Sequence, residues 1–138
     1  MAAAQAEVLL ALGADVVCLQ EVTRTTRPLW KAALEGAGLE CASPAAHPRR
    51  LEVMIAARAG IEAVLSSPPG LLWPERHLAV RTAGVEVHTL HAPTSQREDL
   101  VKVRTLEALG GALLAGDVRG CSRGTSTRPA PSPPRARS

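Results

Sequence analysis

Three polar residues with acid, base or metal-binding side chains each follow an apolar run of the sequence: Glu21, His91 and Asp117. Carboxylate oxygens bind hard divalent cations, and imidazole and carboxyl groups transfer protons. In open α/β sheets, ligands bind beyond the carboxyl ends of the strands. Side chains that follow strands are therefore candidates for a metal-binding or acid–base site.

Glu21 is the clearest of the three candidates. Residues 16–19 form a continuous apolar run between a turn signal at 13–15 and the polar residue Gln20. Such a run predicts a strand over residues 15–20 that is buried on both faces, with Glu21 just after it. The simpler alternative is that Glu21 only ends the strand and stays in solvent, because a fold alone does not define a function.

His91 and Asp117 are weaker signals when each is taken alone. His91 follows a strand-like segment and precedes Ala92-Pro93, a position where a histidine more often lies on the surface. Gly116 lets the backbone approach a ligand closely before Asp117, but an aspartate after a strand is also common in loops. Taken together, the three residues are a stronger indication of a functional site, since each ends a predicted strand.

The elements that would position these residues follow an α/β pattern. The sequence predicts helices over residues 2–12, 25–37 and 95–109, the last capped by Ser95. It predicts strands over residues 15–20, 39–43, 51–57, 61–66, 75–82, 85–90 and 112–115. Turn signals at 59–60 and 83–84 predict two hairpins, so antiparallel pairs are expected within a mixed sheet.

The net charge of +3 comes from the last segment of the chain. Residues 119–138 contain five of the 16 basic residues and no acid, so residues 1–118 carry 11 basic and 13 acidic residues, a net charge of −2. The segment is rich in Arg, Ser, Pro and Gly, which predicts a disordered tail after one domain over residues 1–118. Nucleic-acid binding through this tail is one alternative function.

Composition excludes several other classes of protein. Three cysteines without a CxxC pair do not indicate a disulfide framework or a zinc site, and Cys18 is expected in the core. No apolar run reaches about 18 residues, so no membrane span is expected. The N-terminus has no basic region and carries Glu7, which favours a cytoplasmic location over secretion. Without Phe or Tyr, the core depends on many small contacts.

Four segments in this order carry a resemblance to a known family: residues 15–22, 75–80, 90–93 and 114–117, which read DVVCLQEV, ERHLAV, LHAP and LAGD. With these segments, and with residues 53–61 between them, the chain resembles the endonuclease/exonuclease/phosphatase superfamily, metal-dependent phosphoesterases related to pancreatic deoxyribonuclease. The resemblance covers residues 5–118. It implies a four-layer α/β sandwich of two mixed sheets flanked by helices, here incomplete.

The resemblance also implies a role for each candidate residue. Glu21 matches the glutamate that binds Mg²⁺ (or Mn²⁺), and His91 matches the histidine that acts at the phosphate as a general acid or transition-state stabiliser. Asp117 matches the aspartate of a Gly-Asp-x-Asn motif, which orients the nucleophile. Arg76 matches an arginine near the phosphate. The implied partner is a phosphate-ester substrate, nucleic acid among the possibilities.

Departures from the family pattern favour an alternative to an active phosphoesterase. Arg119 stands where the motif has asparagine, and the family's opening strand and C-terminal Asp-His pair have no counterpart in this sequence. We therefore expect a domain truncated at both ends, with very low phosphodiesterase activity, because losing members of a catalytic unit costs orders of magnitude. The alternative to a phosphoesterase is an inactive fragment or a binding module of the same fold.

Overall fold

The structure is a computed structural model that describes residues 2–45, 51–92 and 99–120. Three helices and six strands occur in these residues, together with a 3₁₀ turn at Pro74–Arg76. The helices are α1 (Ala2–Ala11), α2 (Arg27–Gly36) and α3 (Asp99–Gly120). The strands are β1 (Val16–Val22), β2 (Glu40–Ala42), β3 (Glu52–Ala57), β4 (Ala63–Leu65), β5 (His77–Thr82) and β6 (Val85–Leu90).

The strands form two three-stranded sheets, with the orders β1-β3-β2 and β4-β5-β6. The α/β class predicted from the sequence is confirmed. Mixed sheets were expected, but every strand pair within the described residues is antiparallel. The hairpin predicted at residues 59–60 is also wrong, because β3 and β4 lie in different sheets. The turn at residues 83–84 does join β5 to β6 as predicted.

Strand β3 is the centre of the molecule, and all six of its residues are buried. Because side chains alternate across a strand, β3 contributes to two cores. Met54 and Ala56 pack on one side with Leu34 of α2 and with Val17 of β1. The other side meets the second sheet in a cluster of Val53, Ile55, Leu78 and Val80. Helices, first sheet and second sheet therefore form successive layers.

Strand β1 differs from the prediction that it is buried on both faces. It is an edge strand, since only β3 pairs with it in the described part of the chain. Val17 and Val22 are buried, whereas Cys18 is exposed rather than part of the core. The continuous apolar run indicated a central strand, but the sheet places β3 in that position. Glu21 therefore lies on an accessible edge.

The strand predicted over residues 112–115 is wrong, because this segment lies in helix α3. These residues belong to a 22-residue helix that contains Gly110 and Gly111 and also includes Asp117. Ala and Leu are strong helix formers, and their local preference outweighs the cost of two glycines here. Residues 119 and 120 of the tail predicted over residues 119–138 belong to α3, whereas residues 121–138 and the predicted cap at Ser95 lie outside the described residues. Within the described chain, no helix is long and apolar enough to cross a membrane.

Candidate functional site

A β-bulge near the end of β1 sets the position of Glu21. Leu19 pairs with Met54 and Val22 pairs with Glu52, so β1 has one residue more than β3 between these two pairs. Glu21 has a φ angle of 58°, a left-handed conformation that is uncommon outside glycine. Bulges of this kind re-aim side chains and occur next to functional sites. Here the bulge removes Glu21 from the regular ladder.

The bulged glutamate lies beside His91, which directly follows β6. Glu21 Oε1 is 3.5 Å from His91 Nε2, although the two residues are 70 positions apart. The Glu21 side chain is 67% exposed and the His91 side chain only 10%. The other ring nitrogen, His91 Nδ1, is buried without a hydrogen-bond partner among the described residues. An accessible carboxylate therefore faces a largely buried imidazole, a pair able to hold and transfer a proton.

Arg76 reaches this pair through its main chain. The backbone N–H of His91 donates to the carbonyl oxygen of Arg76 at 2.8 Å. The Arg76 guanidinium lies 4.4 Å from the centre of the Trp73 ring, a cation–π contact. Arg76 Nε is buried and has no hydrogen-bond partner in the described part of the chain. The structure thus brings the main chain of Arg76 next to His91, while a role for Arg76 at a phosphate stays a prediction.

Gln20 ties the two sheets together at the same place, a role that the sequence analysis missed. Its side-chain Nε2 donates to the carbonyl oxygen of Leu90, at 3.0 Å. Gln20 precedes Glu21, and Leu90 precedes His91. This hydrogen bond therefore connects the strand that carries Glu21 to the strand that leads to His91. Only the order of the residues was visible in the sequence. The packing of sheet against sheet brings them together.

Solved structures with the same architecture were found by comparing the whole fold. The chain aligns with a 3′–5′ exonuclease, NExo, from Neisseria meningitidis with a TM-score of 0.67 and 24% identity, over 84% of this chain and 48% of that one. An AP endonuclease from Archaeoglobus fulgidus gives 0.66 and 22%, over 80% and 44%. The chain has the endonuclease/exonuclease/phosphatase fold. This confirms, for the fold, the resemblance read from the sequence.

A third structure with this fold is ANGEL2, a 2′,3′-cyclic phosphatase, with a TM-score of 0.60 and 20% identity, over 81% of this chain and 37% of that one. The chain therefore spans less than half the length of each of these three structures. No protein-family profile matches the sequence, and no curated protein does either.

The chain segment after Glu21 is anchored to this fold by two sets of contacts. Thr23 and Thr26 exchange hydrogen bonds, each hydroxyl oxygen accepting from the other residue's backbone N–H at 3.0 and 3.1 Å. Arg27 at the start of α2 pairs with the fully buried Glu52 at 3.2 Å. Because Glu52 lies opposite Val22, this ion pair holds β3 to the segment that leaves the bulge.

Asp117 is not brought to the end of a strand by this structure. It lies in α3, and its side chain is outside the described residues. Its role in orienting a nucleophile therefore stays a prediction. The signal that placed it, an apolar run followed by Gly-Asp, fits a helix equally well because Ala and Leu dominate the run.

The donor set near Glu21 is small for a metal site. Among the described residues, no group of three or more His, Cys, Asp or Glu side chains could hold a metal ion. Mg²⁺ is commonly held by one or two carboxylates, with water and substrate phosphate completing the shell. Glu21 fits as one such oxygen ligand because its carboxylate is exposed. The described residues do not complete the shell.

Proposed function

We propose that the chain carries part of a phosphoester-hydrolysing site formed by Glu21, His91 and Arg76. The observation that supports this most is the pair of Glu21 and His91, 3.5 Å apart at the rim where β1 and β6 meet. A strained bulge and a hydrogen bond between the two sheets hold this pair. A carboxylate and an imidazole held in this way are the groups that acid–base chemistry at a phosphate requires.

Each residue has a distinct role in the proposal. His91 holds a proton on Nε2 beside the Glu21 carboxylate and gives it to the leaving oxygen of the ester. Arg76 contacts the phosphate, and Asp117 orients the attacking group. Glu21 is the oxygen ligand for Mg²⁺ or Mn²⁺, which when bound would neutralise charge on a phosphoryl oxygen.

We propose a nucleic-acid phosphate ester as the substrate class. The neighbours of this fold are a 3′–5′ exonuclease, an AP endonuclease and a 2′,3′-cyclic phosphatase. A structure of the Neisseria enzyme described as a 3′ phosphatase is bound to a product DNA hairpin, and it aligns with this chain at 23% identity and a TM-score of 0.64. A phosphate ester of a polynucleotide is common to exonuclease and AP endonuclease substrates.

The second candidate function is a catalytically inactive binding module of the same fold. It is favoured because, among the described residues, no group of three or more His, Cys, Asp or Glu side chains could hold a metal ion. Arg119 in place of the motif's asparagine supports the same view. We propose on these grounds that turnover by this chain is very low.

Hydrolysis of bis(p-nitrophenyl) phosphate and of a DNA with a 3′-phosphate tests the proposal. The chain is compared with Glu21→Ala, His91→Ala and the exposed control Glu7→Ala, each with Mg²⁺, Mn²⁺ or EDTA. Metal-dependent turnover that survives Glu7→Ala and is lost in both site variants supports the phosphoesterase. No turnover above the site variants, in protein folded by circular dichroism, supports the binding module.

A further inference from the structure

A second cluster of reactive side chains lies on the second sheet and involves Ser67, His77 and His88. Leu65 of β4 and Ala79 of β5 form the last registered pair of these strands, so Ser67 and His77 lie two residues beyond it. Ser67 Oγ lies 3.2 Å from His77 Nδ1, within hydrogen-bond distance. His77 is only 1% exposed. A hydroxyl and a buried imidazole are therefore in direct contact.

The imidazole of His77 is in turn held by a second histidine. His77 Nε2 is 3.3 Å from His88 Nδ1. His88 Nε2 is buried without a hydrogen-bond partner among the described residues, and it lies 3.9 Å from Glu86 Oε2. Arg81 donates to the other oxygen of Glu86 at 2.7 Å, and this hydrogen bond lowers the pKa of Glu86. Glu86 is thus a carboxylate at neutral pH.

The nearby Glu86 carboxylate favours one tautomer of His88. At 3.9 Å it is too far to accept a hydrogen bond, but its negative charge favours a proton on His88 Nε2, which leaves His88 Nδ1 as an acceptor. His77 Nε2–H then donates to His88, and His77 Nδ1 accepts from the Ser67 hydroxyl. Burial, together with His88, lowers the pKa of His77, so its ring is neutral at pH 7 and Nδ1 has a free lone pair to accept the Ser67 hydrogen bond.

Ser67 and His77 both line an open cleft of about 410 Å³. Most of the rest of its lining is apolar, with Pro44, Val64, Leu65 and Leu78 among the contributing residues, and Glu75 adds a carboxyl group to it. A hydroxyl hydrogen-bonded to a base, with the base oriented by a third group, is the arrangement of an activated nucleophile. An apolar cleft around it favours a small apolar acyl group over a charged ligand.

We propose that Ser67 is the nucleophile of a second site, which accepts acyl groups from small apolar carboxylic esters. Ser67 Oγ attacks the ester carbonyl, the Oγ–C bond forms, and the bond to the alcohol oxygen breaks. The hydroxyl proton passes to His77 Nδ1 and then to the leaving alcohol. Water, deprotonated by His77, releases the acid and restores the serine. This inference does not depend on the phosphoesterase proposal, since it uses none of the same residues.

Labelling with an alkyl fluorophosphonate tests Ser67 directly. The Oγ–P bond forms as the P–F bond breaks, fluoride leaves, and His77 takes the hydroxyl proton. The full chain is compared with Ser67→Ala, His77→Gln and Ser66→Ala, the last being a matched control at the neighbouring serine. Peptide mass spectrometry identifies the labelled residue, p-nitrophenyl butyrate reports acyl transfer, and circular dichroism reports folding.

We expect one label, on Ser67, together with butyrate ester hydrolysis that Ser66→Ala leaves unchanged. His77→Gln should slow labelling on the order of 100-fold, because a positioned general base contributes about 10²–10⁴ to rate. The proposal is overturned if Ser67 is not labelled in the folded chain, or if folded His77→Gln is labelled as fast. Should His77→Gln not fold, equal labelling of Ser66 and Ser67 in the original chain would overturn it.

Discussion

Backbone strain at Glu21 is the most local feature of the candidate site. A non-glycine residue at a φ of 58° costs on the order of 1 kcal/mol, and the fold retains it beside His91. Glycine adopts this conformation freely. We therefore expect Glu21→Gly to be about 1 kcal/mol more stable than Glu21→Ala in urea unfolding. Equal stability of the two variants would mean that the bulge stores no strain at this residue.

His77 makes the stability of the chain depend on pH. Its pKa lies below the ordinary value of 6.5 because of burial and the neighbouring His88. Below pH 6.5 the unfolded chain binds a proton at this residue more readily than the folded chain, so stability falls as pH decreases from 6.5 toward the lowered pKa. Urea unfolding at pH 7.5 and 5.5 should show this loss, and His77→Gln should reduce the difference. If the loss of stability between pH 7.5 and 5.5 is unchanged in His77→Gln, it arises from other titratable groups.

At the scale of the elements, the ion pair between Arg27 and Glu52 connects α2 to β3. Glu52 is fully buried, so removing Arg27 leaves a buried carboxylate with one charged partner fewer. Arg27→Ala should lower the free energy of unfolding by roughly 2 kcal/mol, less than for a completely buried pair because Arg27 is 28% exposed. Chemical denaturation measures this difference directly.

The matched control is the exposed pair of Lys31 and Glu35 on the same helix, 3.7 Å apart. Lys31→Ala should change the free energy of unfolding by no more than about 0.5 kcal/mol, since solvent screens such pairs. Equal losses for Arg27→Ala and Lys31→Ala would contradict the anchoring role given to Arg27.

Local sequence signals predicted some elements well and others poorly. The turn at Ala83-Gly84 was predictable because Gly84 readily adopts the positive φ angle, here 74°, that a tight hairpin turn requires; the positive φ of 49° at Ala83 was not. The helical state of residues 112–115 was not, since four small apolar residues satisfy a strand pattern and a helix pattern alike. The bulge at Glu21 depends on the register with β3, which no local pattern contains.

Two of the residues predicted for the site, Glu21 and His91, lie together in the structure, but their geometry was not predictable from the sequence. Glu21 and His91 were identified because each follows an apolar run, and the structure places their side chains together. The bond from Gln20 to Leu90 spans 70 residues and exists only once the two sheets pack. Tertiary contacts of this kind also explain why Ser67 and His77 gave no signal in the sequence.

At the scale of the whole molecule, the second sheet does not cover all of the first. Cys18 and Ile55 are paired across β1 and β3, so their side chains share the face that meets the second sheet. Ile55 is fully buried there, whereas Cys18 is exposed. The edge of β1 therefore extends past the second sheet, which leaves the inner-facing Cys18 open to solvent.

Alkylation of the cysteines measures this offset between the sheets. Cys41 is half-buried, and burial with the nearby Glu35 raises its pKa to about 11, so little reactive thiolate forms at pH 8. Burial raises the pKa of Cys18 as well, but its side chain is accessible. Iodoacetamide should modify Cys18 several-fold faster than Cys41 in the native chain, as followed by peptide mass spectrometry. In urea the two rates should converge, because both the burial and the Glu35 contact are lost. Equal modification rates for the two cysteines in the native chain would show that the second sheet covers the inner face of β1 at Cys18.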